Sequence, residues 1–403
     1  MAGDIKRFLV KPRAMRRLRP SAAAEASGCL RLRLESAGAG ARDRLVPVGG
    51  GLAFYLRAGE EPVTVSLRAD DAVIEPVGWG EATLAMLRRR FTRLRAGVVN
   101  FEGVEVFPRG PKKTTKRYRK HVRHARHTGM PVDGPMVREH PELIAGWPLG
   151  SDAAPAVRAA ANPSVAVALH LYYVELWPEI ETLLERWSFP FTLFLTLNRD
   201  NLELAARVNA AFPGAVIRVV DNRGRDVRPF LLLLEDGAFD AFDLVCKIHG
   251  KKSISAGRIA IFGDIVRRAT FLDLIATDAQ ALKIVQMFRD DPQIGLVGPR
   301  RFRAVSDGEM QRDLLGRNRR TAEAIAARMG SAIRDDAFDF FSGTMFWARP
   351  QALAPLQRLR LSEDFAAPEA GRVDGALEHA VERLFNHAAR AAGFRVADVT
   401  VES

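Results

Sequence analysis

Five short stretches concentrate side chains able to bind or move charge. Lys247-Ile248-His249-Gly250-Lys251-Lys252-Ser253 gathers three lysines and a histidine around a glycine. Such a cluster suits a pyrophosphate, because the cations offset its charge and glycine lets backbone come close. An exposed basic turn would read the same way. In Asp221-Asn222-Arg223-Gly224-Arg225-Asp226, Gly224 permits a tight turn. Asn222 or Asp226 could then hold a ribose, a base or a sugar hydroxyl, while Asp226 could equally cap the following helix. Asp374 and Glu378 are four residues apart and would share a helical face. Asp374 is then either a general base or an acid favoured by the helix dipole. His170, Tyr172 and Tyr173 close an apolar run. Ser342 to Pro350 (SGTMFWARP) joins aromatic residues to Arg349, with strand-core packing as the plain alternative for Met345, Phe346 and Trp347.

These stretches fall where predicted strands end. Strands are expected at 165–173, 191–197, 216–220, 242–248, 294–297 and 344–348. Helices are expected at 175–187, 201–212 and 227–235, within 255–289, and at 373–391. Strand and helix alternate, which predicts an α/β fold with a mostly parallel sheet flanked by helices. Such sheets bind ligands outside the carboxyl ends of their strands.

The elements before residue 164 have another character. Leu30, Leu32 and Leu34 alternate with charged residues, and Val63, Val65 and Leu67 alternate likewise. With a strand at 54–56 and a helix near 81–94, they predict a small β-rich domain over 22–108. Residues 1–21 read as a basic segment. Residues 109–163 read as a linker, basic and then Ala/Pro-rich. Between Arg109 and His127 stand nine Lys/Arg, three His and no acid. That run is either a solvated linker or a patch for anionic lipid or a phosphorylated polyprenyl acceptor.

Composition narrows the class. The chain of 403 residues is 47% hydrophobic and 27% charged, which excludes a disordered protein. Its net charge of +12 predicts an anionic partner. Cys29 and Cys246 are too few for a disulfide framework or a zinc motif. No apolar signal core follows the basic start, and no run of 18 apolar residues occurs, so a cytoplasmic protein is expected. The basic stretches would allow peripheral association with the inner face of the cytoplasmic membrane.

Taken in order over about 165–395, HLYY, NRGRDVRPFL, KIHGKKS, SGTMFWARPQAL and DGALEHAVERLF resemble the rhamnan synthesis protein F family. The resemblance implies a GT-A-like (Rossmann-like) glycosyltransferase domain over 164–403. It implies transfer of L-rhamnose or a similar sugar, from a nucleotide donor such as dTDP-rhamnose, in bacterial surface polysaccharide assembly. The acceptor would be a glycan or a polyprenyl-phosphate-linked glycan. His170 and Tyr172 would line the nucleoside pocket, and Asn222, Gly224 and Asp226 would fix nucleoside or sugar. Gly343, Thr344, Trp347 and Arg349 would face the acceptor. Asp374, with Glu378 as runner-up, would be the base of an inverting displacement.

One departure from the GT-A pattern bears on the cofactor. The strand that should end in a metal-binding DxD ends in His-Gly-Lys-Lys, and Asp335, Asp336 and Asp339 precede a different strand. The expectation is that Lys247, His249 and Lys251 stand in for the metal, so no cofactor is required, although Mg²⁺ or Mn²⁺ could still serve. A non-catalytic carbohydrate-binding or assembly protein of the same pathway is the alternative. For nucleic acid, charge is the sole argument, since neither an aromatic-interleaved basic motif nor a helix-turn-helix pattern occurs.

Overall fold

The computed structural model describes residues 4–36, 40–91, 99–101, 104–127, 130, 132, 134–148, 163–250, 252, 260–306, 313–365 and 375–401. Two compact units divide the chain. One comprises Met1–Gly146 with Lys252–Arg268, the other Trp147–Lys251 with Ala269–Ser403.

The second unit is built on a seven-stranded sheet. Its strands, in chain order, are Val165–Leu171, Thr192–Leu197, Val216–Val219, Leu244–His249, Ile294–Pro299, Phe346–Ala348 and Arg395–Val399. Their spatial order is 3-2-1-4-6-5-7, and only the sixth runs antiparallel. The order 3-2-1-4 is that of a Rossmann-like half, so the expected mostly parallel α/β sheet is present. The first and fourth strands, VAVALHL and LVCKIH, are buried almost throughout. Strands covered on both faces need such continuous apolar runs.

The helices carry sequence-encoded starts. Asn201 caps Leu202–Ala211 by accepting from the Leu204 N–H at 2.9 Å, and Thr277 caps Asp278–Asp290 through the Gln280 N–H at 3.1 Å. Helix Val227–Glu235 places Phe230, Leu231 and Leu234 in the main core with Phe346, Phe385 and Ala348.

Three differences from the sequence reading matter for the site. The helix expected over 373–391 is two helices, Leu377–Glu382 and Phe385–Ala391. A short ribbon pairs Arg303–Val305 with Asp339–Phe341, and the last strand, Arg395–Val399, was not foreseen. The sixth strand is reversed, so its start, not its end, lies at the carboxyl edge of its neighbours.

The first unit differs more from expectation. Residues 1–21 are not a tail: Ile5–Val10 and Met15–Pro20 are strands of two different antiparallel sheets. One sheet has four strands, and the other has five and extends to Val104–Arg109. Val10, Met15 and Leu18 are buried, which draws a strongly basic segment into the fold. Nor is 109–163 simply a linker, because Lys112–His127 is a helix, followed by Pro135–Glu139 and Glu142–Ala145. The Ala/Pro-rich stretch at 153–162 lies outside the described residues. Residues 252–268, expected in the transferase domain, group with this unit.

Candidate active site

The first and fourth strands lie side by side at the point where strand order reverses. Parallel register puts His170 opposite both His249 and Thr196, and Ala168 opposite Lys247. Alternation then gives His170, Thr196, Lys247 and His249 a common face. Over that face sits the start of helix Val227–Glu235. Asp226 occupies its cap position but makes no side-chain cap bond. It turns to the sheet instead. His170, Thr196, Asp226, Phe230 and Lys247 line a small cleft there.

Asp226 is the hub of the cluster. Its Oδ2 accepts from Lys247 Nζ at 2.8 Å and from the Thr344 hydroxyl, and lies 3.1 Å from His249 Nδ1. All three contacts fall on one oxygen. Burial alone would push the Asp226 carboxyl up, but His249 and Lys247 beside it hold it well below the usual carboxylate range. A carboxylate held that low is a poor base and a good acceptor for ligand hydroxyls.

Lys247 is 1% exposed. Its ammonium donates to Asp226, to the Thr344 carbonyl at 2.7 Å and to the Thr344 hydroxyl at 3.2 Å. The rings of Phe230, Phe346 and Phe385 surround it, with centroids 5.5–6.0 Å away. Its three protons are committed inside the protein. Lys247 therefore does not face a diphosphate as the sequence reading supposed. It positions Asp226.

His170 Nδ1 pairs with Thr196 Oγ1 at 3.0 Å. Burial pushes its imidazole down to about 4, with Asp226 pulling the other way. It is neutral near pH 7, able to donate through one ring nitrogen and accept through the other.

The two loops beside the cleft are conformationally constrained. Gly224 has φ 62°, and a Cβ there would come 2.3 Å from the Phe365 ring. Neighbouring Arg225 also has positive φ, 54°, and its Nη1 lies 3.1 Å from His379 Nε2. At the start of the sixth strand, Gly343 and Thr344 have φ of 97° and 52°. A β-branched residue in the left-handed region costs about 1–3 kcal/mol, and the Lys247 and Asp226 bonds hold Thr344 there. The Gly343 N–H donates to Glu382 Oε1 at 2.8 Å, joining this loop to helix Leu377–Glu382.

The remaining expected residues divide. Asn222 is exposed, and Tyr172, 39% exposed, stands edge-on to Tyr173. Glu378 is buried in the first turn of its helix, with Oε1 3.8 Å from His379 Nδ1. Trp347, expected to stack on a sugar, is fully buried. Its ring stacks on Trp187 at 5.3 Å, and its indole N–H donates to the Leu274 carbonyl at 3.2 Å. Arg349 lies past the end of the reversed strand, at the opposite edge of the sheet. Its guanidinium donates to the carbonyls of Ile294 at 3.0 Å and Phe288 at 2.6 Å. Neither side chain is available to an acceptor at the cleft. Packing accounts for Gly250: its N–H donates to the His170 carbonyl at 2.9 Å, and a Cβ would meet Leu171 at 2.8 Å. Asp374 and Lys251 lie outside the described residues.

Thr196 and Glu382 were missed. Thr196 carries a usable signal, a hydroxyl at the end of a predicted strand (TLFLTL), whereas Glu382 has none without its partner at 343. Among the described residues no group of three or more His, Cys, Asp or Glu could hold a metal ion. Asp226, the one carboxylate among the described residues that line the cleft, is already paired with a lysine.

A family model described as rhamnan synthesis protein F matches residues 152–394, more than half of the chain. Protein WxcX of Xanthomonas campestris pv. campestris, in two strains, is 29% identical over 240 residues. That match covers 59% of this chain and 33% of WxcX, so the chain spans about a third of the length of the curated relatives it matches. Among solved structures, Staphylococcus aureus TarS (residues 1–349) aligns at 12% identity and TM-score 0.30, over 60% of this chain and 59% of that one. A putative nucleotide-diphospho-sugar transferase from Desulfovibrio desulfuricans aligns at 11% identity and TM-score 0.26, over 59% of this chain and 79% of that one.

Proposed function

Because the chain belongs to the rhamnan synthesis protein F family, we propose that its second unit is a glycosyltransferase taking a nucleotide-sugar donor at the cleft between the first and fourth strands. The observation that carries this reading is the Asp226 hub. A charged carboxylate that lines a cleft at the strand-order switch point, with one oxygen held by Lys247 and Thr344, is built to accept hydrogen bonds from ligand hydroxyls. His170, Thr196 and His249 supply further hydrogen-bonding groups on the same face, and the exposed Tyr172 and Asn222 would meet the nucleoside or sugar.

The reaction is a single displacement with inversion. An acceptor hydroxyl oxygen attacks the anomeric carbon while the bond to the diphosphate oxygen breaks. The leaving nucleoside diphosphate takes the electron pair. The hydroxyl proton passes to a carboxylate, Asp374 in this reading and Glu378 as its alternative. Gly343 and Thr344 shape the acceptor side, held by Glu382 and Lys247. L-Rhamnose from dTDP-rhamnose is the sugar the family name favours, with a glycan or polyprenyl-phosphate-linked glycan as acceptor.

The test is thermal shift of the full chain against dTDP-rhamnose, UDP-glucose and GDP-mannose, each with EDTA and with Mg²⁺ or Mn²⁺. A ligand of the native state raises its stability with the logarithm of concentration over Kd. A shift with one donor that survives EDTA supports the donor site and a metal-independent cleft. A shift seen only with metal keeps the transferase and overturns metal independence. No shift with any donor from a folded sample favours a non-catalytic assembly protein.

A further inference from the structure

The basic run that follows the first unit's last strand forms a helix with one face turned outward. Helix Lys112–His127 packs one side inward through Tyr118, Val122 and Ala125, all buried. Tyr118 fixes its rotation: the phenol donates to the Pro47 carbonyl at 3.0 Å, and the ring meets Phe54 edge-on at 5.6 Å. With that side fixed, 3.6-residue periodicity dictates what the other side carries. Lys113, Lys116, Arg117, Lys120 and Arg123 follow at helical spacing, and all five are exposed. From Lys113 to Arg123 the stripe is about 15 Å long at 1.5 Å per residue. The helix contains no acid. Among the described residues no carboxylate pairs with Lys113, Lys116, Lys120 or Arg123, although elsewhere in this unit Arg7, Arg17, Arg57 and Arg109 all have carboxylate partners.

We propose that the outer face of helix Lys112–His127 is a docking surface for an anionic lipid bilayer. A row of like charges repels itself, and burial of Tyr118, Val122 and Ala125 holds the row in place, so an anionic surface would relieve the repulsion. A planar surface can meet the whole row at once. Single-stranded nucleic acid would need aromatic platforms among the cations, and Tyr118, the helix's only Phe, Tyr or Trp, is 2% exposed and faces inward. This inference is independent of the transfer chemistry.

The experiment is flotation of the full chain with vesicles of phosphatidylcholine alone and of phosphatidylcholine with 30% phosphatidylglycerol, at 0.1 and 0.5 M NaCl. Each Lys or Arg near an anionic surface is worth up to about 1 kcal/mol, or about fivefold in partitioning. The variant K113Q/K116Q/K120Q/R123Q should therefore lose about 100-fold, and at most about 600-fold, in binding to the anionic vesicles. The wild type should bind neutral vesicles poorly and come off in 0.5 M salt. A charge-matched variant, R31Q/R33Q/R42Q/R44Q, removes three exposed arginines and the half-buried Arg44 from the four-stranded sheet and should keep most of the binding. Circular dichroism and melting of both variants check that each is folded. Equal losses in the two variants would overturn the proposal in favour of net charge alone. Binding to neutral vesicles as strong as to anionic ones would also overturn it. So would a 30-base-pair duplex that, at equal phosphate concentration and 0.15 M salt, binds more tightly than the vesicles through the same four residues.

Discussion

Replacing Lys247 by methionine keeps the length of the side chain and removes the charge. The ammonium lies 2.8 Å from the Asp226 carboxylate, which at an effective dielectric constant of about 20 is a gross attraction of about 6 kcal/mol. Taking both groups out of water offsets several kcal/mol of that, so the pair itself adds little net stability. Breaking it is another matter. The variant leaves Asp226 charged and buried with His249 and Thr344 as partners, and Thr344 loses two bonds that hold its positive φ. A cost of about 3–5 kcal/mol is expected. In a unit of this size about 1 kcal/mol moves Tm by about 2–4 °C, so its transition should drop by about 6–20 °C. Asp226→Asn should cost a similar amount, because it strands the lysine. The double variant should cost about 2 kcal/mol or more below the sum of the two. Calorimetry of the four proteins, following the transition of the second unit, measures the cycle. Additivity within about 0.5 kcal/mol, or a cost below about 1 kcal/mol for Lys247→Met, would refute the hub.

Other consequences follow from the same geometry. His170 titrates near 6.5 when unfolded and near 4 when folded, so between these values the unfolded chain binds a proton that the folded chain does not. Stability should fall by up to about 3 kcal/mol as pH drops from about 6.5 to about 4. Urea titrations across that range should lose most of this slope in His170→Asn, and an unchanged slope would count against a buried neutral imidazole. Asp226 acts lower: its depressed carboxyl contributes stability above about pH 4 that disappears as pH falls through its folded value, below the usual range. Gly224→Ala meets both a positive φ and the Phe365 ring at 2.3 Å, so a loss of about 2–4 kcal/mol is expected in a urea melt. A loss below about 0.5 kcal/mol would mean that the loop relaxes freely.

The sequence was most legible where one strand speaks for itself. The apolar runs ending in His170 and His249 marked the two strands that flank the cleft, and alternation paired Lys247 with His249 on one face. What alternation cannot tell is which residue from elsewhere meets that face. Asp226 comes from 21 residues away and Thr344 from 97, and their arrival turns Lys247 from a ligand cation into an internal one. Direction was also invisible: a three-residue strand such as Phe346–Ala348 pairs either way, and its reversal carries Arg349 to the far edge of the sheet. The first unit misled through composition. Lys6, Arg7, Arg13, Arg16, Arg17 and Arg19 suggest a tail, yet Val10, Met15 and Leu18 between them are buried strand residues.

Photo-crosslinking tests the central claim most directly. An azido-substituted thymidine diphosphate sugar would be irradiated with the full chain, and the labelled peptides sequenced with and without excess dTDP-rhamnose. The account predicts labels within residues 165–177 or 221–250 that the unlabelled donor competes away. Labels confined to the first unit, or labels that no nucleotide sugar displaces, would contradict a donor site at the Asp226 cleft.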